Sequence, residues 1–501
     1  MVKSILIGGK AGQGPNLLTS LIAESLIEKG YYVFYSRDYQ SLIRGGHNFN
    51  ILTFSSKPIN SNESKVDLII ALDEETIKIH KKDLKKPGIV LNGNQDNMYF
   101  AGAMFKAFEL DFKILEEKLK KLRNFKENLE NAKLGFEQEK KEIKINAPKI
   151  KNPNFSFMNG SRAIAEASIK SGLDIYYAYP MTPATPLMFE LAPKQKENNF
   201  LLLELENEIA VINAAIGSSI TGAKTMLGTS GGGFDLMTEA LSMACQAEIP
   251  LVCYLASRPG PGTGVATYTA QGDLHFARYS GHGEAFRLVL APGSADEAQS
   301  ITSEAFYFSQ KYKIPVIILS DKHLAESFFT YDKEPKLTKS QFNTKLIRYN
   351  SYEHTKTGEA TEDSELINQG FERREKKKKE IEKEAEKFQG FKIYGNKQSK
   401  NLIVSYGSTK GAILDAIKDL DCKFLQVLYI EPFSKKIKAE LEKAKNIILV
   451  ENSAHSQLRD LIAEKTQIKI NDKNKILKYD GRPFFFDELN SEIKKRLRWQ
   501  T

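Results

Sequence analysis

Cysteine is scarce in this sequence, which has three cysteines among 501 residues. They are Cys245, Cys253 and Cys422, and no two of them form a CxxC pair. Because iron–sulfur clusters and cysteine-based zinc sites need closely spaced thiolates, the sequence predicts neither within this chain. The same scarcity is typical of a reducing compartment, so we expect a cytoplasmic location.

Long apolar runs are absent as well, and a spanning helix needs about 20 consecutive apolar residues. The opening residues, MVKSILIGG, have a short apolar stretch before the glycines. This pattern predicts a buried strand that enters a turn rather than a signal peptide, so no membrane partner is expected. The seven histidines match no standard metal-binding spacing, so no metal site is expected either.

The chain carries a formal charge of +9 and has a pI of about 9.0, which raises the question of nucleic-acid binding. Its basic residues lie mostly in mixed lysine and glutamate segments, such as residues 372–387. Opposite charges at helical spacing predict solvated helix faces. We therefore expect no nucleic-acid partner, and a surface that docks an acidic protein is the second interpretation.

Short apolar strands alternate with helical patterns along most of the chain, which predicts an α/β fold with three α/β units in series. The first unit covers residues 1–150, with a parallel sheet predicted from strands at 4–7, 31–35, 66–72 and 88–91. A polar segment at 141–153 is the candidate linker. The second unit covers residues 156–335. A charged connector with one long helix follows at 336–398, and a small α/β unit ends the chain at 399–501.

A glycine-rich loop, residues 8–14, joins the first strand to a helix predicted at 16–29 and contains Gly9, Gly12 and Gly14. Its spacing matches neither the dinucleotide-binding GxGxxG motif nor the P-loop. Backbone N–H groups in such a loop can bind an anion, and a tight structural turn is the equal alternative. A second glycine pair follows Arg44, which could lie near the same edge.

Three further segments carry side chains suited to chemistry, and each directly follows a predicted strand. In YPMTP, two prolines stiffen a loop that presents Thr182, although a structural turn is the simpler interpretation. In ELENE, a carboxylate lies at the start of a helix rich in small residues. It is a candidate functional group, and the alternative is that it only caps the helix. In RPGPGTG, Arg258 offers a planar fork that suits a carboxylate, or it caps a strand end.

Together these segments resemble the 2-oxoacid:ferredoxin oxidoreductase family, in the form that has a gamma region fused ahead of the alpha region. The resemblance covers nearly the whole chain and rests on motifs in the family's order. These are GGKAGQG and IRGGHN, then YPMTP, then RPGPGTG with QGDL, then YEH in the connector, and VEN in the last unit.

The resemblance implies a gamma-type domain, a thiamine-pyrimidine-binding domain and a transketolase C-terminal-like domain. It also implies that Glu208 contacts the aminopyrimidine of thiamine diphosphate and activates the cofactor, with Glu206 as the alternative. Thr182 and Arg258 would hold the 2-oxoacid. The resemblance assigns further cofactor contacts to Tyr179, Pro180, Gly231 and Gly232. Gly9, Gly12, Gly14 and Arg44 would form a region for an anion or for coenzyme A.

The sequence departs from the family pattern at several positions. Met181 replaces isoleucine, Gly232 and Gly262 stand where proline and serine are common, and Ala11 replaces a glycine. No GDG motif, which would anchor a metal and the diphosphate, occurs in the chain. The resemblance therefore implies a beta subunit that supplies Mg²⁺ and an iron–sulfur cluster, in a heterodimer or a dimer of heterodimers.

The implied activity is coenzyme A-dependent oxidative decarboxylation of a 2-oxoacid with reduction of ferredoxin. 2-Oxoglutarate is favoured, and pyruvate, branched-chain and aromatic 2-oxoacids are the alternatives. Two other classes compete with this interpretation: a nucleotide-dependent dehydrogenase that uses the N-terminal loop, and a non-catalytic assembly subunit.

Overall fold

A computed structural model describes residues 2–40, 46–93, 95–140, 143, 145, 154–340, 342 and 350–498. The chain divides into two compact units. Unit 1 comprises Met1–Met158, Ser327–Glu334 and Phe485–Leu489. Unit 2 comprises Asn159–Glu326, Pro335–Phe484 and Asn490–Thr501.

The described residues form strands β1 (Val2–Lys10), β2 (Tyr32–Tyr39), β3 (His47–Ser55), β4 (Val66–Ala71), β5 (Leu84–Asn92), β6 (Ser156–Asn159), β7 (Ile175–Ala178), β8 (Leu201–Glu204), β9 (Thr225–Thr229), β10 (Leu251–Ser257), β11 (Leu288–Leu290), β12 (Pro315–Asp321), β13 (Phe328–Tyr331), β14 (Phe391–Gly395), β15 (Asn401–Tyr406), β16 (Lys423–Val427), β17 (Tyr429–Glu431), β18 (Asn446–Glu451) and β19 (Lys475–Leu477).

The helices are α1 (Pro15–Glu28), α2 (Glu74–His80), α3 (Asn97–Ala107), α4 (Phe112–Leu119), α5 (Phe125–Gln138), α6 (Gly160–Lys170), α7 (Thr185–Leu191), α8 (Gln195–Asn198), α9 (Glu208–Ile220), α10 (Gly231–Leu236), α11 (Thr238–Gln246), α12 (Leu274–Tyr279), α13 (Ala295–Tyr312), α14 (Lys322–Glu326), α15 (Ser364–Ala385), α16 (Thr409–Ala416), α17 (Lys436–Glu442), α18 (Gln457–Thr466) and α19 (Phe486–Arg498).

Unit 1 contains one sheet with the strand order β5-β4-β1-β3-β2-β13-β6. β1, β4 and β5 are parallel, but β3 is antiparallel to both β1 and β2. The sheet is therefore mixed, and the prediction of a parallel sheet was wrong, because β3, a strand that was not predicted, lies antiparallel between β1 and β2. The reason is the short connection at residues 40–46, since a parallel crossover needs about a dozen residues or more.

A pair of buried histidines lies where β3 begins beside β1. His47 and His80 are each 5% exposed, and their Nε2 atoms are 3.0 Å apart. His80 Nδ1 lies 3.1 Å from a carboxylate oxygen of Asp83, and the ring of Phe49 packs against His80. Burial lowers the pKa of both histidines below the ordinary value of 6.5, although nearby carboxylates act in the opposite direction.

This pair predicts that the folded state loses stability in mild acid. Because the folded pKa of each histidine is lowered, the unfolded chain binds more protons once the pH falls below about 6.5. We expect the thermal unfolding midpoint to drop by about 2–4 °C between pH 7.5 and 5.5 through this pair. A His47→Gln/His80→Gln variant should show a shallower pH dependence, whereas His455→Gln, at an exposed histidine, should keep the wild-type slope. Equal slopes in all three proteins would refute the prediction.

Unit 2 contains a larger sheet with the order β17-β11-β12-β10-β9-β7-β8. Six of its strands run parallel to their neighbours, namely β8, β7, β9, β10, β12 and β11. β17 pairs with β11 at the edge of the sheet and runs antiparallel to it. The strands predicted at 175–178, 201–203, 224–227, 251–255, 287–290 and 315–319 coincide with these to within about two residues. The predicted α/β class with several sheets is confirmed.

A second sheet in unit 2 has the order β14-β16-β15-β18-β19, and a buried polar network ties it to α13. Glu297 on α13 accepts hydrogen bonds from Gln426 Nε2 at 2.7 Å and pairs with Lys410 Nζ at 2.8 Å. Burial alone would raise the pKa of Glu297, but Lys410 and Lys392 lower it to about 2. Because this carboxylate stays charged and paired, the second sheet keeps a defined position against α13.

The division into two units does not test the predicted linker or the predicted domain boundaries. The linker predicted at 141–153 lies almost entirely outside the described residues. The long charged helix of the connector is α15, and the boundaries predicted near 156, 336 and 399 stay predictions. Within the part of the chain that the structure describes, no helix is long and apolar enough to span a bilayer.

Candidate functional site

The candidate site lies at the carboxyl edge of the larger sheet of unit 2. β8, β7, β9 and β10 are neighbours in that order and run parallel, so the segments that follow them meet at one edge. In open α/β sheets this edge is the usual position of ligands. The loops brought together here are residues 205–207, 179–184, 230 and 258–273.

Glu208 is the buried carboxylate of this edge. It is the first residue of α9, and the preceding Asn207 caps the helix by accepting a hydrogen bond from Ala210 N. Glu208 is 4% exposed, and its Oε1 atom is buried with no hydrogen-bond partner among the described residues. Glu206 is exposed. Because Asn207 already caps the helix, capping does not account for Glu208, and the geometry favours it over Glu206.

Gly233, which follows the predicted glycine pair, packs directly on this carboxylate. A Cβ atom placed on Gly233 would lie 2.7 Å from Glu208 Oε1 and 2.2 Å from Thr229 Oγ1. Glycine is therefore required for α10 to approach Glu208 this closely. The sequence analysis singled out Gly231 and Gly232 and missed Gly233, because its role depends on a side chain from another helix.

We expect Gly233→Ala to lower the free energy of unfolding by about 1–3 kcal/mol, since the added methyl group has no space. Gly232→Ala is the matched control. At Gly232 a Cβ would meet only Gly262 O, at 3.8 Å, so its free energy of unfolding should be unchanged or slightly higher. Denaturant titration of both variants measures the difference. Equal stabilities would contradict the close packing of α10 on Glu208.

Thr182 and Arg258 are in contact at this edge. Arg258 Nη1 donates a hydrogen bond of 2.7 Å to the backbone carbonyl of Thr182, and its Nε atom is buried without a partner in the described part of the chain. Burial lowers the pKa of the Arg258 guanidinium, and the charge of Asp273 acts in the opposite direction. The predicted pair is thus brought together, with part of the guanidinium engaged by a backbone carbonyl.

The other predicted cofactor residues lie along the same loops. Tyr179 and Pro180 are exposed directly after β7, and Gly231 and Gly232 form the first turn of α10. The loop of residues 258–264 approaches this turn, since Gly262 O is the nearest atom to the Cβ position of Gly232.

Gln271 anchors the end of the arginine loop to the second sheet, a role that the sequence analysis did not identify. Its side chain donates to Tyr406 O and accepts from Asn452 N, each at 2.8 Å. Its backbone N–H donates to Asn452 O at 2.8 Å, and Tyr406 Oη donates to Gln271 O at 2.9 Å. The C-terminal sheet therefore holds one side of the candidate site in place.

The glycine loop of unit 1 forms the turn between β1 and α1. Gly12 and Gly14 have φ values of 95° and 77°, in the left-handed region that favours glycine. Gln13 closes the turn by accepting from Lys10 N at 2.7 Å and donating to Leu72 O at 3.1 Å. A Cβ on Gly9 would meet Gln13 and Leu72 within 3 Å. Arg44 lies outside the described residues.

Two family descriptions match the chain. Residues 166–391 match "Pyruvate flavodoxin/ferredoxin oxidoreductase, thiamine diP-bdg", and residues 4–96 match "Pyruvate ferredoxin/flavodoxin oxidoreductase". The 2-oxoacid:ferredoxin oxidoreductase subunit alpha of Sulfolobus sp is 27% identical, over 99% of this chain and 97% of that relative. The 2-oxoglutarate synthase subunit KorA of Methanocaldococcus jannaschii is 30% identical, over 59% of this chain and 87% of that relative.

A solved structure has the same fold over both chains. It is the 2-oxoglutarate:ferredoxin oxidoreductase from Magnetococcus marinus with 2-oxoglutarate, coenzyme A and succinyl-CoA bound. The TM-score is 0.87, the sequence identity is 22%, and the match covers 99% of each chain.

The fold and the matched domain define an oxidoreductase with a thiamine-diphosphate-binding domain. The chain belongs to the 2-oxoacid:ferredoxin oxidoreductase family. Relatives that match 98–99% of the chain are named as alpha subunits. The resemblance stated from the motifs is thereby confirmed, including the enzyme class and the cofactor. The roles of individual residues stay predictions.

Proposed function

We propose that this chain is the alpha subunit of an enzyme that oxidatively decarboxylates a 2-oxoacid in the presence of coenzyme A. The products are the acyl thioester, CO₂ and an electron pair that passes to ferredoxin. Relatives named 2-oxoglutarate synthase support 2-oxoglutarate as the favoured substrate. Pyruvate, branched-chain and aromatic 2-oxoacids carry the same carboxylate and are the alternatives.

The observation that carries this proposal is the buried, unpartnered Oε1 of Glu208. A buried carboxylate oxygen without a partner in the described residues costs free energy, and such costs concentrate at functional sites. A ring nitrogen of the thiamine aminopyrimidine is a suitable partner, so the residues present fit this cofactor. When bound, thiamine diphosphate supplies the electron sink for decarboxylation. Glu208 would hold and polarise the pyrimidine ring, with Gly233 allowing the close approach.

Arg258 and Thr182 would bind the substrate carboxylate and carbonyl. The guanidinium fork suits a carboxylate, and the partly buried position strengthens the interaction relative to water. Because Arg258 Nη1 is engaged by Thr182 O, its remaining N–H groups are the ones that would meet the substrate. Tyr179, Pro180, Gly231 and Gly232 would border the bound cofactor.

A beta subunit would complete the site from the opposite side. Large apolar side chains beside the site are exposed: Ile209, next to Glu208, is 51% exposed, and Leu236 on α10 is 53% exposed. β8 is an edge strand, and its Leu201 is 56% exposed. Exposed apolar patches and open strand edges mark interaction surfaces. Since the chain has no GDG motif and few cysteines, this partner would bring Mg²⁺ and the iron–sulfur cluster.

In unit 1, the turn of Gly9, Gly12 and Gly14 is the proposed anion or coenzyme A region. The turn precedes the first residues of α1, whose N–H groups favour a negatively charged ligand. Arg44 would contribute a positive charge to this region. We further propose that the complex works in the cytoplasm, where a ferredoxin is available as acceptor.

Co-purification with the partner subunit tests the function. We expect the reconstituted complex to reduce ferredoxin or a viologen dye only when a 2-oxoacid and coenzyme A are both present. The chain without its partner should be inactive, since it lacks the anchor for the diphosphate. Full activity of this chain alone would refute the division of the site between subunits. A panel of 2-oxoacids assayed with the same complex identifies the substrate.

A further inference from the structure

Asp273 occupies the N-cap position of α12 without capping that helix. Aspartate is among the best N-cap residues, and a side-chain cap contributes about 1 kcal/mol. Nevertheless, the Asp273 carboxylate makes no hydrogen bond to the first turn of α12. Asn159 and Asn207 in the same unit do cap their helices, whereas Ser230 and Ser294, like Asp273, do not.

The carboxylate of Asp273 turns toward the candidate site instead. A Cβ placed on Gly231 would lie 3.1 Å from Asp273 Oδ2, which shows how closely the carboxylate approaches the first turn of α10. Its Oδ2 atom is buried and has no hydrogen-bond partner within the described ranges. The lost cap and the unpaired oxygen both cost stability, and such costs persist at functional sites.

Arg258 carries the positive charge that acts on Asp273. Burial raises the pKa of Asp273, while Ser257 and the positive charge of Arg258 act in the opposite direction. Burial raises the pKa of Tyr406 on β15, and the charges of Glu451, Asp321 and Asp273 act in the same direction. Arg258 Nε and Asp273 Oδ2 are both buried without a hydrogen-bond partner among the described residues.

We propose that Asp273 is a positioning residue that sets the affinity of Arg258 for the substrate carboxylate through its charge. This inference rests on the proposed role of Arg258 in substrate binding. A negative charge near the anion site, too far from Arg258 for a direct hydrogen bond, opposes binding of a second carboxylate by Coulomb repulsion. It therefore weakens binding of the substrate carboxylate and of competing anions, so that a bound 2-oxoacid or anion that does not react can leave the site.

Two consequences distinguish this role from a structural one. Asp273→Asn keeps the shape of the side chain and removes its charge, so the KM for the 2-oxoacid should fall by about three- to tenfold with a smaller effect on kcat. In the wild type, KM should also fall as the pH decreases and Asp273 becomes protonated. In Asp273→Asn, the KM should no longer fall as the pH decreases.

The test uses the complex with its partner subunit. KM and kcat are measured from pH 5.5 to 8 for the wild type, Asp273→Asn and the control Asp419→Asn, which removes an exposed carboxylate from unit 2. In parallel, calorimetry measures the dissociation constant for 2-oxoglutarate and for pyruvate, because binding can be observed without turnover. Lower KM and dissociation constants in Asp273→Asn, together with a flat pH profile, are the expected result.

Other outcomes separate this inference from the proposed function. An unchanged or higher dissociation constant in Asp273→Asn, with the wild-type pH dependence retained, would overturn the role of Asp273. If the complex binds 2-oxoacids with the predicted Asp273 effect but does not oxidise them, the proposed function fails and the role of Asp273 stands. Absence of 2-oxoacid binding by the wild-type complex would overturn both. Loss of folding in Asp273→Asn, seen as a lower unfolding midpoint, would show a structural role instead.

Discussion

A complex that carries Glu208→Gln is expected to retain its fold and lose at least about a hundredfold in kcat, since a positioned acid–base or polarising carboxylate contributes on that order or more. Glutamine has nearly the same shape as glutamate, so the packing of Gly233 and Thr229 around position 208 is preserved. What it loses is the negative charge that would stabilise the activated form of the pyrimidine. Steady-state rates of viologen reduction with saturating 2-oxoacid and coenzyme A measure the effect.

Glu206→Gln is the matched control for this experiment. Glu206 lies two positions away in the same loop but is exposed, so its replacement should leave kcat within about twofold, as surface substitutions usually do. The reverse result, with loss of activity in Glu206→Gln and not in Glu208→Gln, would assign the activating carboxylate to the alternative position. If neither variant changes kcat while the complex assembles normally, a non-catalytic assembly role becomes the better interpretation of this chain.

Arg258→Ala should raise the KM for the 2-oxoacid about tenfold to a hundredfold, because a hydrogen-bonded ion pair is worth about 1.5–3 kcal/mol. The substitution also removes the hydrogen bond from Arg258 Nη1 to Thr182 O, so some loss of kcat is expected from a less ordered loop. Initial rates over a range of 2-oxoacid concentrations separate the two effects. Coenzyme A should keep its KM, since Arg258 is proposed to contact the 2-oxoacid and not coenzyme A.

Arg162→Ala provides the comparison for Arg258→Ala. Arg162 is an exposed arginine on α6 that pairs with Glu166 at 2.9 Å, and its removal should leave the KM for the 2-oxoacid unchanged. A KM for Arg258→Ala that equals the wild-type value would exclude Arg258 from substrate binding. In that case the guanidinium would serve only to tie residue 182 to the arginine loop.

The fold was largely predictable because local patterns and global structure agree in most of the chain. The runs at 175–178 and 315–319 are apolar, and they lie in the strands β7 and β12. β3 was not predicted, and the pairing of β1 with β3 reverses the expected direction. The pairing partner of a strand is decided by contacts distant in sequence, which a local apolar pattern does not encode.

At the candidate site, the sequence identified side chains but not their environments. Glu206 and Glu208 are both glutamates at the start of a helix, and only burial distinguishes them. Gln271 stands in the QGDL motif and Gly233 in a run of glycines, but their roles depend on Asn452 and Tyr406 in one case and on Glu208 in the other. Such contacts join residues from different strands and helices, so they exist only in the folded chain.

The sequence by itself determined the α/β class, the family, and the absence of a GDG motif and of clustered cysteines, since each of these depends only on residue types and their order. The tertiary structure alone decided that Glu208 is the buried carboxylate and that Arg258 reaches Thr182. It also decided that Asp273 turns from its own helix toward Gly231. The physical reason is that burial and unpaired polar atoms depend on how the parallel strands bring their carboxyl ends together.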